Sequence, residues 1–201
     1  MKLIVPNRRS ILAGAVGLAV TTPLQAAVLT PRQTAGPFYP EAIPADSDMD
    51  LTQFAGGKAQ GDVIEVTGVV MNEKGAALPG TVVELWQANA FGRYHHSGDD
   101  NPEPRDPHFQ GFGAVAADKD GAYRFRTVLP GLYPGRTRHI HFRLVREGRQ
   151  ALVTQMYFPG EKDNGRDGLF RWLGSKEAQA AATARLTGGD KTKLEFDFVL
   201  A

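Results

Sequence analysis

The chain has 201 residues, of which 42% are hydrophobic and 22% are charged, and its formal net charge is +1. This length suits one ordinary globular domain with a sizeable core, and no basic aromatic-rich strip or glycine-rich phosphate loop indicates a nucleic-acid or nucleotide site. The absence of cysteine excludes disulfides, thiolate metal sites and cysteine nucleophiles.

Residues 1–26 have the layout of an export signal. Basic residues, among them Arg8 and Arg9, precede an apolar run over residues 11–20, and small residues follow near Ala26. The arginine pair resembles the twin-arginine signal, which addresses folded proteins for export. We therefore predict an exported protein, periplasmic or secreted, with no stable membrane insertion once the signal is removed. The alternative is an uncleaved anchor, although the run is short for a bilayer.

Residues 27–61 are rich in glycine and proline and show no pattern typical of a helix. We predict an extended N-terminal arm with loops over this range. From residue 62 onwards the pattern changes to strands and turns, so a single folded domain is expected over residues 62–201.

The first predicted strands cover residues 63–69 and 81–86, and a turn over residues 72–75 lies between them. A long polar stretch, residues 89–110, follows the second strand and contains Tyr94. A loop of this length inside a compact domain is usually functional. A further turn and a half-buried strand over residues 123–127 come next.

The segment from residue 129 to residue 144 reads LPGLYPGRTRHIHFRL. Side chains two apart share a face of a strand, so His139 and His141 point the same way and Ile140 and Phe142 point into the presumed core. Two adjacent imidazoles begin a metal site, but two ligands rarely hold an ion. The alternative interpretation is a polar outer face of a half-buried strand.

A strand over residues 152–158, which includes Gln155, and a last strand over residues 194–200 complete the β pattern. Between them, residues 176–186 form the one helical candidate, with Ser175 as its N-cap. Several short strands joined by turns indicate an all-β fold, a β-sandwich with long loops and one minor C-terminal helix.

Taken singly, the remaining polar candidates have ordinary structural explanations. Tyr94 and Tyr133 could be packing residues, because tyrosine suits β-sheets. Gln155 could satisfy a buried backbone group. Arg136 and Arg138 could be solvated surface charge. His95, His96 and His108 could be ordinary loop residues.

Taken together and in order, the motifs WQANA-x-GRY-x-H, PG-x-YP, HIHF and TQ-x-YF resemble the intradiol ring-cleavage dioxygenases of the catechol and protocatechuate type. The resemblance covers about residues 80–160. The arm segment TPRQTAGP, residues 30–37, is similar to the protocatechuate branch.

The resemblance implies a mononuclear non-haem Fe(III) held by Tyr94, Tyr133, His139 and His141. It also implies that a catechol and O2 are the substrates, that both oxygen atoms are incorporated, and that the product is a cis,cis-muconate-type diacid. Tyr133 would leave the metal and take up a proton, Arg136 would stabilise developing negative charge, and Gln155 would position the reacting oxygen species or support a ligand. Arg138 lies close enough to substitute for Arg136.

The chain departs from the family pattern in two places near the site. Only five residues separate Tyr133 from His139, and Gly135 stands where a bulky aromatic residue often lines the pocket. Both changes predict a more open pocket. Arg93, Arg105 or Arg124 could serve a carboxylated substrate. The helical dimerisation segment of catechol dioxygenases is missing, and an oligomer is possible.

Two alternatives to an iron enzyme fit parts of the chain. One is a non-catalytic β-sandwich module that binds carbohydrate or protein, since strand–turn–strand patterns of this kind are common in scaffolding sandwiches. The other is a copper or zinc site built from the histidine pair and loop histidines. Tyr94 and Tyr133 together with the histidine pair favour an enzyme over the binding module, because a scaffold has no need of them. The identity of a bound metal distinguishes an iron enzyme from a copper or zinc site.

Overall fold

The computed structural model describes residues 27–201 of the chain. The predicted export signal, residues 1–26, lies outside the described residues. None of the helices within residues 27–201 has the length and hydrophobicity needed to cross a membrane.

Eleven strands and two short α-helices make up the regular structure of residues 27–201. The strands are β1 (Gln53–Phe54), β2 (Gly57–Lys58), β3 (Val63–Asn72), β4 (Val82–Trp86), β5 (Phe112–Ala116), β6 (Ala122–Val128), β7 (His139–Arg146), β8 (Arg149–Tyr157), β9 (Arg185–Thr187), β10 (Asp190–Glu195) and β11 (Phe198–Leu200). The helices are α1 (Gly168–Trp172) and α2 (Lys176–Ala181), and a 3-10 turn covers Asn164–Arg166.

The strands form two main sheets and a small hairpin. In the first sheet β3 is central: it pairs antiparallel with β6 and parallel with both β10 and β11, and β9 extends β10. The second sheet is antiparallel, in the order β5-β4-β7-β8. Strands β1 and β2 pair only with each other. This arrangement confirms the predicted β-sandwich.

The core lies between the two sheets, where each contributes its inward side chains. Ile64 and Val66 of β3 are buried, and so are Ile140 and Phe142 of β7. The ring centroid of Phe142 lies 5.2 Å from that of Phe198 on the opposite sheet. Burial of these large side chains is the main stabilising contribution to the sandwich.

The prediction of one continuous strand over residues 194–200 was wrong. The chain divides there into β10 and β11, because between them the Asp197 carboxylate, and not a backbone carbonyl, accepts a hydrogen bond from the Val69 N–H at 2.9 Å. The Phe196 N–H bonds to the Thr67 carbonyl at 2.8 Å, beside Gly68. A Cβ at Gly68 would lie 2.0 Å from the Phe196 carbonyl oxygen, so this close approach requires glycine.

The predicted helix begins where expected, but it is shorter. Ser175 Oγ accepts a hydrogen bond from the Ala178 N–H, and α2 ends at Ala181 instead of reaching residue 186. The backbone of Tyr157 exchanges hydrogen bonds with Ala182 and Ala184, and this pairing draws the following residues into β9. Tertiary pairing therefore overrides local helix propensity. Helix α1, capped by Asp167, was not predicted.

The N-terminal segment crosses both sheets before it reaches the hairpin. The Thr30 N–H donates to the Val199 carbonyl at 3.1 Å, and the Gln33 N–H donates to the Val153 carbonyl at 2.8 Å. Farther along, Asp50 forms an ion pair with Arg126 at 3.1 Å. The segment between these anchors, residues 34–39, lies against one end of β7 and β8.

Candidate metal centre

The two histidines lie on β7 in the middle of the antiparallel sheet. His141 is opposite Trp86 of β4 and Gln155 of β8, and His139 is opposite Tyr157. Both side chains are buried, with 4% of each residue exposed. The interpretation of this face as a polar outer surface is therefore wrong, because the arm and the long loop cover it.

The long loop and the turn before β7 bring two tyrosines to the histidine pair. The ring centroids of His139 and His141 are 4.9 Å apart. Tyr133 lies 6.4 Å from His139, Tyr94 lies 6.3 Å from His141, and the two tyrosine rings are 6.0 Å apart. The four residues named as metal ligands thus lie together, each ring beside two of the others.

The imidazole nitrogens are suited to a metal. His139 Nδ1 lies 2.7 Å from the Thr137 carbonyl oxygen, which makes Nδ1 the protonated nitrogen. The Nε2 atom of His139 is then a free lone pair, buried and without a hydrogen-bond partner in the described structure, and His141 Nδ1 is likewise buried and unpartnered. A cation bound at the lone pair of His139 Nε2 would satisfy that buried atom.

Electrostatics keep both histidines neutral. Burial, assisted by the positive charge of Arg136, lowers the pKa of His139 to about 4. Burial and then the neighbouring His139 lower the pKa of His141 well below its ordinary value. Neutral imidazole is the form that binds metals, so the site does not have to lose protons from these residues at neutral pH.

The tyrosines decide which cation fits. Within residues 27–201, no group of three or more His, Cys, Asp or Glu side chains could hold a metal ion. The side chains beside the histidine pair that carry an ionisable oxygen include the phenols of Tyr94 and Tyr133. Burial raises the pKa of Tyr94, and a phenolate there needs a strong cation beside it. Two phenolate oxygens and two imidazole nitrogens are a donor set suited to a hard trivalent ion such as Fe(III).

Hydrogen bonds inside the long loop hold Tyr94 in place. Asn89 Oδ1 accepts from the N–H groups of Phe91 and Arg93 at 2.9 and 3.0 Å. The Asp99 carboxylate accepts from the Tyr94 N–H at 2.6 Å, and Asn101 donates to the Gly92 carbonyl at 2.9 Å. The loop is therefore an ordered platform, and these buried polar residues could have been suspected from their concentration in a turn-rich stretch.

Arg136 and Arg138 point to different partners. Arg136 Nη2 donates to Gln155 Oε1 at 2.7 Å, and its Nε donates to Asp167 at 2.7 Å. Arg138 donates to Glu161 at 2.8 Å and to the Pro130 carbonyl. The positive charge of Arg136 acts on the buried histidines, so Arg136 is the arginine that the fold places beside them.

Aromatic residues of the arm and of β4 enclose the ligands. Trp86 stacks on His141 with ring centroids 5.0 Å apart. The Phe38 ring lies 4.8 Å from that of Tyr94 and 5.7 Å from that of Tyr133. Neither Trp86 nor Phe38 was predicted as a site residue, although Trp86 begins the WQANA motif and Phe38 directly follows the arm segment 30–37.

The other histidines and arginines considered from the sequence lie elsewhere. His95 packs against Phe109, and His108 Nδ1 contacts the Phe54 carbonyl. His96 contacts Phe38 and does not join the pair on β7. The arginines Arg93 and Arg124 bond to the Glu103 carbonyl and the Glu65 carboxylate respectively, and Arg105 lines a surface pocket with His95 and His96.

Comparison with known proteins identifies relatives over most of the chain. A sequence profile described as dioxygenase matches residues 34–201. The protocatechuate 3,4-dioxygenase beta chain of Burkholderia cepacia is 40% identical over 171 residues, covering 78% of this chain and 72% of that protein. The 6-chlorohydroxyquinol 1,2-dioxygenase of Cupriavidus pinatubonensis is 31% identical, covering 82% of this chain but 62% of that protein.

Solved structures give the same result for the fold. The dioxygenase domain of a dioxygenase–carbohydrate-binding fusion from Streptomyces sp. SirexAA-E is 32% identical, with a TM-score of 0.68 over 86% of this chain and 98% of that chain. An intradiol ring-cleavage dioxygenase from Tetranychus urticae has a TM-score of 0.70 over 87% of this chain and 95% of that chain, at 21% identity. The second likeness concerns the fold alone.

Proposed function

Because the chain belongs to the intradiol ring-cleavage dioxygenase family, we propose that it cleaves a catechol-type ring between the two hydroxylated carbons. O2 is the second substrate, both oxygen atoms enter the product, and the product is a cis,cis-muconate-type diacid. The proposed cofactor is a mononuclear non-haem Fe(III) with Tyr94, Tyr133, His139 and His141 as ligands. A copper or zinc site and a non-catalytic binding module are the alternatives that the tests below separate.

The observation that carries the proposal is that four potential ligand rings are neighbours of one another, and that one of them, His139, has a buried and unpartnered Nε2 atom. A scaffold would gain nothing from burying an unsatisfied imidazole nitrogen beside two phenols, because unpartnered buried polar atoms are destabilising. A bound ferric ion would supply a Lewis-acidic centre at which a catechol becomes reactive toward O2.

The protein's own residues have separable roles in this proposal. Tyr133 is half-buried, whereas Tyr94 is fully buried, so Tyr133 is the phenol with room to move and to hold a proton on its hydroxyl oxygen. Arg136, beside the proposed catechol-binding site, stabilises negative charge that develops on the substrate. Gln155 accepts from Arg136 and donates to the Thr34 carbonyl at 3.0 Å, which fixes its amide next to the reacting groups. Phe38 and Trp86 exclude water.

The turn between Tyr133 and Arg136 is open to solvent. Gly135 has φ +77°, and a Cβ at this position would meet no atom within 4 Å. Leu132 next to Tyr133 is also exposed. We propose that the open side of the site lies here, and turnover of catechol, protocatechuate and hydroxyquinol would rank the substituents that it accepts.

The first experiment is a visible spectrum and metal analysis of the purified protein, followed by O2 uptake with catechols. Tyrosinate-to-Fe(III) charge transfer should colour the protein, and Tyr94→Phe and Tyr133→Phe should weaken the band. Tyr123→Phe is the matched control, because Tyr123 is buried in the core and donates to the Phe196 carbonyl. A colourless protein that takes up no iron would refute the proposal, and copper or zinc with no O2 uptake would favour the metal-binding alternative.

We also propose that the protein is exported, on the strength of the basic, apolar and small-residue pattern in residues 1–26. Replacing Arg8 and Arg9 with lysine should retain the protein in the cytoplasm if the twin-arginine route is used. Replacing Lys2 with arginine is the charge-preserving control. Unchanged fractionation of the double variant would refute this part of the proposal.

A further inference from the structure

Asp167 is a buried carboxylate near the site for which the ring-cleaving reaction assigns no role. None of its side-chain surface is exposed, and it precedes α1 in a segment with no motif of its own. Burial of a charged group is costly unless the group is fully bonded. The bonds that Asp167 makes therefore indicate what this residue does.

The two oxygens of Asp167 bind different parts of the protein. Oδ1 accepts from the N–H groups of Leu169 and Phe170 at 2.9 and 3.0 Å, and so caps α1. Oδ2 accepts from Arg136 Nε at 2.7 Å and from the Thr137 N–H at 2.9 Å. The carboxylate thus joins the helix to the segment that leads into β7.

The hydrogen bonds also show that the carboxylate is charged. Burial by itself would raise the pKa of Asp167, but the hydrogen bonds from Arg136, Phe170 and Thr137 hold it below its ordinary value. A charge-assisted bond between a carboxylate and a guanidinium is short, strong and directional. It fixes the plane of the Arg136 guanidinium, whose Nη2 then reaches Gln155.

We propose that Asp167 is the positioning residue for Arg136, and that it orients the guanidinium toward Gln155 and the substrate. The proposal rests on the proposed function, since Arg136 has a role only if the protein cleaves catechols. The hydrogen-bond partners of the Asp167 carboxylate are Arg136, Thr137, Leu169 and Phe170, and none of them is a proposed metal ligand. A residue that supports another in this way typically changes activity by roughly 10- to 100-fold when it is lost.

Two substitutions separate positioning from capping. In Asp167→Asn the amide oxygen can still cap α1, but the NH2 group then faces the Arg136 and Thr137 donors. In Asp167→Ser the hydroxyl can cap the helix but is too short to reach Arg136. Ser175→Ala is the matched control, because it removes the corresponding cap of α2 without contacting Arg136.

Both Asp167 variants should lower kcat per bound iron by about tenfold, with KM changed less than threefold, because the orienting contact acts on charge that develops in the transition state. Ser175→Ala should leave kcat unchanged. Combining Asp167→Asn with Arg136→Gln should lower kcat no further than Arg136→Gln alone. A merely structural role for Asp167 would lower the melting temperature and leave kcat per bound iron at the wild-type value.

A crystal structure of iron-loaded Asp167→Asn gives a result that does not depend on activity. The guanidinium of Arg136 should move so that its bond to Gln155 is lost. Unchanged placement of Arg136, or wild-type kcat in both Asp167 variants, would overturn the inference. A wild-type protein that binds iron but cleaves no catechol would overturn the proposed function, and displacement of Arg136 in the variant would still support the positioning by Asp167.

Discussion

Replacing Gly36 with alanine should disturb the proposed metal centre from the arm side. Gly36 has φ +67°, and a Cβ built there would lie 3.3 Å from His141 Cε1 and 3.7 Å from His141 Nε2. Contacts of 3.3 Å are tight, so the imidazole must shift by a few tenths of an ångström. Metal–ligand distances tolerate only about 0.2 Å, and His141 is already stacked on Trp86.

The expected size of the effect has two parts. The left-handed backbone conformation of an alanine costs about 1–2 kcal/mol in folding free energy. Displacement of His141 should lower iron affinity by about tenfold, the lower end of the effect of disturbing groups that support a ligand. A tenfold change in affinity corresponds to about 1.4 kcal/mol.

Gly80→Ala provides the matched control. Gly80 has φ +73°, and a Cβ there would meet nothing within 4 Å, so the substitution has the backbone strain without the contact. Urea unfolding of the metal-free proteins should show similar losses for the two variants. Competition with a chelator, followed through the charge-transfer band, should show weaker iron binding only for Gly36→Ala. Equal iron affinity of the two variants would refute the reasoning.

Three further predictions test the core, the histidines and the long loop. Phe142→Ala should cost about 3–5 kcal/mol of stability in urea unfolding. Trp172→Ala, at a residue that is 86% exposed, should cost less than about 0.5 kcal/mol. Similar losses for the two variants would contradict the packing described. The pKa of His139 is about 4, so the metal-free protein should lose stability as pH falls from about 6.5 towards 4, where the unfolded chain binds a proton that the folded chain excludes. In thermal melts, His139→Gln should make the stability of the metal-free protein depend less on pH. An unchanged pH profile would contradict the low pKa of His139. Asn89→Ala should cost about 1–3 kcal/mol of stability and weaken the charge-transfer band, because the loop that holds Tyr94 loses two hydrogen bonds to Asn89 Oδ1. Asn89→Asp keeps the acceptor oxygen, so it should retain more of the stability and more of the band intensity.

The alternation along residues 139–144 correctly predicts which side of β7 carries the histidines. It does not predict that this side is buried, because the covering groups come from Gly36 and Phe38, about one hundred positions earlier. Strand periodicity reports only which side chains share a face, and what covers the face is a tertiary property. For the same reason, no local pattern shows that Phe38 contacts both tyrosines.

The choice between Arg136 and Arg138 also depends on distant residues. The two arginines are two positions apart and would share a face of an extended segment, so spacing does not distinguish them. Their partners, Asp167 and Glu161, lie after β8 in the irregular region before and around α1. Helix α1 is only five residues long, so the periodicity of its apolar residues does not reveal it. The only sequence feature that points to Asp167, the partner of Arg136, is that aspartate is a common N-cap residue.

The N-terminal arm docks late in folding, and this timing would affect which metal ion the proposed site binds. Its hydrogen bonds join residues very far apart in the chain: Gln33 to Gln155 across 122 positions, and Thr30 to Val199 across 169. Contacts that close such long loops have a large entropic cost and can form only when almost the whole chain has been synthesised. A chain whose sheets have paired but whose arm is still free would lack the cover that Gly36 gives to His141 and Phe38 gives to Tyr94. In the proposed iron enzyme, docking of the arm would then enclose the ion that had entered, and the time between sheet formation and arm docking would be the period in which the metal is selected.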